Sequence, residues 1–158
     1  MFNLFKKKDC VLYAPVNGKS IPLENVPDKV FANKLIGDGV GFVFEEDTVY
    51  APCDGEILMI ANTNHAFGIK AKNNLEVLVH VGLETVNLNG EGLSVLVKQG
   101  QKVKAHDPII KINREMMKEK NIDLTTPMII TNLDNYEIVI TEPKDVTVNS
   151  ITIETKIK

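Results

Sequence analysis

Tryptophan is absent from the 158 residues, and cysteine occurs twice, at Cys10 and Cys53. Two thiols so far apart in the chain supply neither a disulfide framework nor a Cys-rich zinc site. No signal peptide precedes the first strand-like run, so a reducing cytoplasm is the expected compartment. No apolar stretch approaches the about 18 residues a membrane span needs. Basic clusters are missing beyond Lys6 to Lys8, and the formal charge of -3 with a pI near 5.6 excludes nucleic acid as a partner. Low-complexity tracts are missing too. A 17.5 kDa chain with 44% hydrophobic and 25% charged residues reads as one soluble globular domain with a real core.

Alanine is scarce: 7 residues, against 43 valines, isoleucines and threonines. That bias favours pleated, half-buried surfaces. Short runs at 10–14, 48–51, 56–61, 66–71, 75–81, 109–112, 128–131 and 151–157 are predicted strands, separated by Asn, Asp, Gly and Pro clusters. The expected fold is all-β, an antiparallel sandwich or barrel with one or two short helices. The clearer helix is predicted over 113–121, capped by Asn113 with Met116 and Met117 facing inward, and a second helical turn is predicted near Pro27 to Phe31. Leu12 to Leu23 and Val49 to Ile60 share the pattern Tyr-Ala-Pro-x-x-Gly at an offset of 37 residues. Each copy reads as strand, turn, strand, either by coincidence of two hairpins or as a duplicated unit with pseudo-symmetry. Residues 1–10 are expected to be a flexible tail ahead of a domain over 11–158. Phe2, Leu4 and Phe5 before the lysines suit at most a weak contact with an anionic membrane.

The chemistry concentrates between Thr63 and Val86. On a strand over 75–81, Val77, Val79 and Val81 face one side, while Glu76, Leu78 and His80 face the other. A hairpin closed by a four-residue loop, Ala71 to Asn74, places His65 directly opposite His80, with Cβ atoms about 4.5–5.5 Å apart. A two-residue loop puts Phe67 there instead, and each change of register moves the pair apart. Three readings suit two such imidazoles. A neutral ring near its ordinary pKa of about 6.5 can accept a phosphoryl group, the second ring bonding the transferred oxygens. The pair can supply half of a tetrahedral zinc shell, completed by water or a partner's carboxylate. Or both rings are merely buried and hydrogen-bonded.

The strings EVLVHVGLETV, TNHAFGI, VPDKVFANKLIGDGV, YAPxxG and GQKVKAHDPI resemble the glucose-family IIA proteins of the bacterial phosphoenolpyruvate-dependent sugar phosphotransferase system. The likeness runs from about Leu12 to Lys156. It implies a duplicated hybrid motif fold with internal pseudo-duplication. It also implies a phosphotransferase component that takes phosphate from the carrier protein HPr and passes it to a cysteine on a IIB domain, and that is not a stand-alone enzyme on a small molecule. With no IIB or IIC segment in this chain, it is expected to act in trans.

Residue by residue, the resemblance makes His80 the phosphorylated histidine, reacting through its far nitrogen. Its near nitrogen bonds the carbonyl of Gly82, His65 braces the phosphoryl group and Thr63 orients His65. Phe31, Leu35, Ile36, Phe67, Leu78, Val81 and Val86 match an apolar docking rim, and each also suits core packing. Asp28 and Glu84 match acids that meet an arginine of the donor. Departures are Ala61 where some members carry phenylalanine, Glu84 where some carry aspartate, and His106, which replaces a turn glycine and reads as a surface residue without a role. No cofactor is required. A zinc ion held by His65, His80 and a partner or water ligand belongs to a rival reading, a regulatory module that docks on enzymes or permeases through the same face. A zinc hydrolase needs a third ligand and a deep pocket, and a biotinyl or lipoyl carrier needs a Met-Lys-Met type turn missing here.

Overall fold

Period-two alternation in short Val- and Ile-rich runs makes strands, and Asn, Asp, Gly and Pro end them. The computed structural model describes residues 9–158. In chain order these form β1 (Cys10–Tyr13), β2 (Gly18–Pro22), α1 (Lys29–Ala32), β3 (Asp38–Phe44), β4 (Thr48–Tyr50), β5 (Gly55–Ile60), β6 (Ala66–Ala71) and β7 (Glu76–His80). There follow β8 (Leu93–Val95), β9 (Lys102–Val103), β10 (Pro108–Ile112), α2 (Arg114–Glu119), β11 (Thr126–Ile130), β12 (Tyr136–Ile140), β13 (Asp145–Val146) and β14 (Ile151–Ile157). The tail expected over residues 1–10 lies largely outside the described residues, and Cys10 already belongs to β1.

All pairings are antiparallel. One eight-stranded sheet runs β13-β2-β3-β11-β7-β6-β5-β9, and two three-stranded sheets run β1-β14-β12 and β4-β10-β8. The ends of the large sheet, β13 and β9, do not meet, so the fold is a sandwich and not a barrel. Its main core takes Leu12, Val49, Ile110 and Ile153 from the small sheets and Phe42, Ile57, Phe67 and Val79 from the large one. Full burial of each such side chain stabilises by about 1.5–3 kcal/mol relative to exposure.

The internal repeat is a real duplication of form. Tyr13 N–H donates to the Pro52 carbonyl at 2.8 Å, and Tyr50 N–H donates to the Pro15 carbonyl at 2.7 Å, a reciprocal exchange between the two Tyr-Ala-Pro elements. The hairpin reading of each copy is corrected, however. β1 pairs with β14 while β2 pairs with β3 and β13, and β4 pairs with β10 while β5 pairs with β6 and β9. Each Ala-Pro turn therefore carries the chain from a small sheet into the large one. Proline suits that place because a crossing strand needs no ladder N–H at its corner.

Both helices form where expected. The Asn113 side chain accepts from Met116 N–H at 3.1 Å and caps α2, which turns Met117 into the core. Asp28 caps α1 by accepting from Val30 N–H at 2.9 Å. That short helix lies on the outer face of the large sheet, where Leu23, Val26, Phe31, Leu83 and Ile129 form a second apolar cluster, with Ile21 and Leu78 packed against it.

Candidate functional site

Alternation along β7 buries Val77, Val79 and Val81 in the main core and leaves Leu78 and His80 half-buried on the outer face. His80 thus stands over the second apolar cluster, its ring 5.0 Å from that of Phe31 between centroids. The predicted register is corrected by one residue. Ala66 pairs with His80, Gly68 with Leu78 and Lys70 with Glu76. Ala71 N–H bonds the Leu75 carbonyl at 2.9 Å, so only Lys72, Asn73 and Asn74 form the loop. Asn74 takes its left-handed place at φ 66°.

Such a slip would send His65 to the far face of a regular strand. The imidazoles meet nonetheless, because His65 lies just before β6 in a turn where strand alternation does not apply. Asn64 adopts φ 60° there, and its N–H bonds the Ala61 carbonyl at 2.8 Å. The turn swings the His65 side chain across to His80, and the two rings lie edge to face with centroids 4.8 Å apart. The backbone holds the junction, since Val81 N–H donates to the His65 carbonyl at 2.7 Å.

Each ring is tethered through Nδ1. That of His80 lies 2.7 Å from the Gly82 carbonyl oxygen, which can only accept, so Nδ1 carries the proton and Nε2 holds a free lone pair. That of His65 lies 2.6 Å from Thr63 Oγ1. Burial is the main force on both titrations and pushes both below the ordinary imidazole value of 6.5. For His65 the neighbouring His80 adds to the depression, whereas for His80 the Gly82 carbonyl and the charge of Asp28 oppose it. At neutral pH both rings are uncharged.

The Gly82 carbonyl is aimed by a rigid corner. Gly82 sits at φ 77°, and a Cβ there would lie 2.6 Å from Thr85 Cγ2. Thr85 Oγ1 donates to the Val81 carbonyl at 2.7 Å, and Leu83 N–H donates to the Asp123 carbonyl at 2.9 Å. The supports from Thr126, whose Oγ1 accepts from Gly82 N–H at 3.4 Å, and from Asp123 come from the segment entering β11. Sequence reasoning missed both, because no local pattern ties residues so distant in the chain.

The expected rim divides. Leu35 is 72% exposed, Val86 50% and Ile36 39%, which leaves them free around the site. Phe31 and Leu78 form its floor within the second cluster. Phe67 and Val81 do not belong to it. Both are fully buried in the main core, because β6 and the end of β7 point them inward. Beside the floor a depression of about 460 Å³ gathers Asp28, Glu84 and Asp123, the last a third acid not foreseen. Ala61 lies half-buried in the His65 turn. His106 is not a free surface residue. It takes φ 76°, as the glycine it replaces would, and packs its ring 4.8 Å from that of Tyr13. Among the described residues no group of three His, Cys, Asp or Glu side chains is placed to hold a metal ion, and no helix is long and apolar enough to cross a membrane.

Residues 10–136 match the family model described as phosphoenolpyruvate-dependent sugar phosphotransferase system, EIIA 1. The structure is similar to that of the glucose permease IIA from Mycoplasma capricolum, with a TM-score of 0.88 and 30% sequence identity over 98% of this chain and 99% of that one. A shared architecture over nearly both chains, joined to a family match across most of the sequence, makes this chain a member of the glucose-type IIA family of the sugar phosphotransferase system.

Proposed function

We propose that this protein is a histidine phosphocarrier that takes a phosphoryl group from phospho-HPr on Nε2 of His80 and passes it to the cysteine of a IIB domain. In the first transfer the lone pair of Nε2 attacks phosphorus as the donor's N–P bond breaks, with no net proton change. In the second, a IIB thiolate forms the S–P bond and the His80 N–P bond breaks. The reading rests above all on the bond from His80 Nδ1 to the Gly82 carbonyl, which fixes the tautomer that leaves Nε2 nucleophilic. Thr63 Oγ1 lies 2.6 Å from Nδ1 of His65; with the hydroxyl as donor, the His65 proton stands on Nε2, where it bonds a phosphoryl oxygen. The exposed Leu35, Ile36 and Val86 exclude water once a partner docks, and the acids Asp28 and Glu84 attract a cationic donor.

Incubation with the upstream phosphotransferases and labelled phosphoenolpyruvate is expected to label the wild type and to leave His80→Gln unlabelled. Labelling of the variant overturns the assignment. His65→Gln is expected to accept phosphate but to hand it on at least about 100-fold more slowly, the usual scale for one lost charge-stabilising donor.

The same exposed apolar residues support a second reading, in which the unphosphorylated face docks on metabolic enzymes or permeases. His65 and His80 would supply only half of a zinc shell, as neutral imidazoles, and the rest would have to come from a partner carboxylate and water. Binding that is lost on phosphorylation, and zinc retained only in the presence of the partner, would establish it.

A further inference from the structure

The turn that carries His65 is held from inside and from outside. Residues 61–66 join β5 to β6, and two bonds fix the turn's own shape: Ala61 N–H donates to the Ala66 carbonyl at 2.9 Å, and Asn64 N–H donates to the Ala61 carbonyl at 2.8 Å. Neither bond sets how the turn leans toward β7. That is left to ties beyond it. On one side the His65 carbonyl accepts from Val81 N–H at 2.7 Å. On the other, Asn64 Nδ2 donates to the Leu93 carbonyl at 3.2 Å. Leu93 opens β8 in a small sheet, pairs with Ile112 of β10 and is 3% exposed within the main core. The Asn64 amide thus fastens a loop of the large sheet to the opposite layer of the sandwich.

Two details fit an asparagine to that place. Asn64 holds φ 60°, a left-handed conformation that asparagine tolerates and a β-branched residue does not. Gly90 sits at φ 87°, and a Cβ there would press within 3.2 Å of Asn64 Nδ2, so glycine leaves the amide its space. The next residue along the chain is His65, whose ring stands 4.8 Å from that of His80 between centroids. Any rotation of the backbone at Asn64 therefore turns His65 away from its partner.

We propose that Asn64 is the positioning residue for His65: its side-chain bond to the Leu93 carbonyl holds the second imidazole where a phosphoryl group on His80 comes to lie. The proposal deepens the carrier reading and rests on it for the role of His65. Asn64 acts on the chemistry only through the backbone of the next residue. It governs the onward step, since His80 keeps its own tether to the Gly82 carbonyl at 2.7 Å. Bonds that stabilise a transition state depend on alignment, and a displacement of about 1 Å can cost about 100-fold in rate.

Two variants separate the tie from the backbone conformation. Asn64→Asp tolerates the same φ but offers no hydrogen to the Leu93 carbonyl, and Asn64→Gly keeps the conformation while removing the side chain. With the upstream phosphotransferases and labelled phosphoenolpyruvate, both are expected to take label on His80 at close to the wild-type rate. Passage to a IIB domain is expected to slow by about 10-fold or more. Adding Asn64→Asp to His65→Gln is expected to slow it no further than His65→Gln alone, because the two act as one unit. Wild-type passage in either Asn64 variant, or slowing that multiplies with that of His65→Gln, overturns the proposal. Nitrogen NMR of the unphosphorylated protein reads the rings directly, whether or not phosphate is carried. In both variants the His65 ring signals are expected to move toward those of a free imidazole while the His80 signals stay. His65 signals that stay, or signals of both rings that move together, overturn the proposal too. Label on a His80→Gln variant would instead remove the carrier reading, and the nitrogen spectra would still decide whether Asn64 holds the His65 ring.

Discussion

At the scale of single residues, the site depends on two uncharged imidazoles kept uncharged by their surroundings. In the unfolded chain each takes up a proton near pH 6.5, and in the fold each resists to lower pH because burial disfavours the cation. The unfolded state therefore binds more protons in that window. Stability is full above pH 6.5 and declines as pH falls toward the folded values. Urea midpoints measured between about pH 7 and pH 5 are expected to fall in the wild type and to change less in the His65→Gln, His80→Gln double variant. A parallel decline in both would place the titrating groups elsewhere. Gly82 is the second lever. Its φ of 77° and the 2.6 Å approach to Thr85 Cγ2 leave no room for a methyl group. Gly82→Ala is expected to cost roughly 1–3 kcal/mol in denaturant unfolding. It should also slow phosphorylation by moving the carbonyl that holds the His80 proton.

At the scale of elements, Asp28 has two roles that substitution can separate. Its carboxylate caps α1 through Val30 N–H, and α1 holds Phe31 against the His80 ring. It also stands in the acidic depression with Glu84 and Asp123. Asp28→Ala is expected to cost about 1 kcal/mol of stability, and Asp28→Asn only a few tenths, because asparagine also caps. Both should lower the rate of donor encounter and its salt dependence alike. Equal stability losses would show that the charge, and not the cap, supports α1.

What was legible in the sequence follows the same physics. β6 and β14 have the bounds that apolar alternation predicts, and α2 begins at the cap that Asn113 announces. β3 was not among the predicted strands. Its two glycines interrupt the apolar alternation, and Gly39 is there because a Cβ would collide with the Met128 carbonyl where β11 passes close by. The adjacency of the histidines was legible, but the reason given for it was not. The turn at Asn64, and not the β6–β7 register, brings them together. Phe67 and Val81 were misplaced for a related cause. Apolar residues beside an apolar site look alike in sequence whether they floor it or back it, and only the pleat decides.

At the scale of the molecule, the large sheet reads the same from either edge: β13, β2, β3 and β11 mirror β9, β5, β6 and β7. Neither half closes a core alone, since β7 and β11 pair across the centre and each Tyr-Ala-Pro element bonds the other. Heat unfolding is accordingly expected to be a single transition, with calorimetric and van't Hoff enthalpies in agreement. Two resolved transitions would mean that the halves fold separately.

The mirrored halves are not equally endowed. Gly18 pairs with Phe44 as Gly55 pairs with Ala71, and Phe42 pairs with Thr126 as Ile69 pairs with Val77, so the position answering to His80 is Ile129 and that answering to His65 is Asp38. Ile129 is 1% exposed and helps floor the very site its counterpart serves. A backbone drawn twice thus presents one imidazole pair and not two. On the function proposed above, the carrier's valence would follow from a side chain and not from the scaffold.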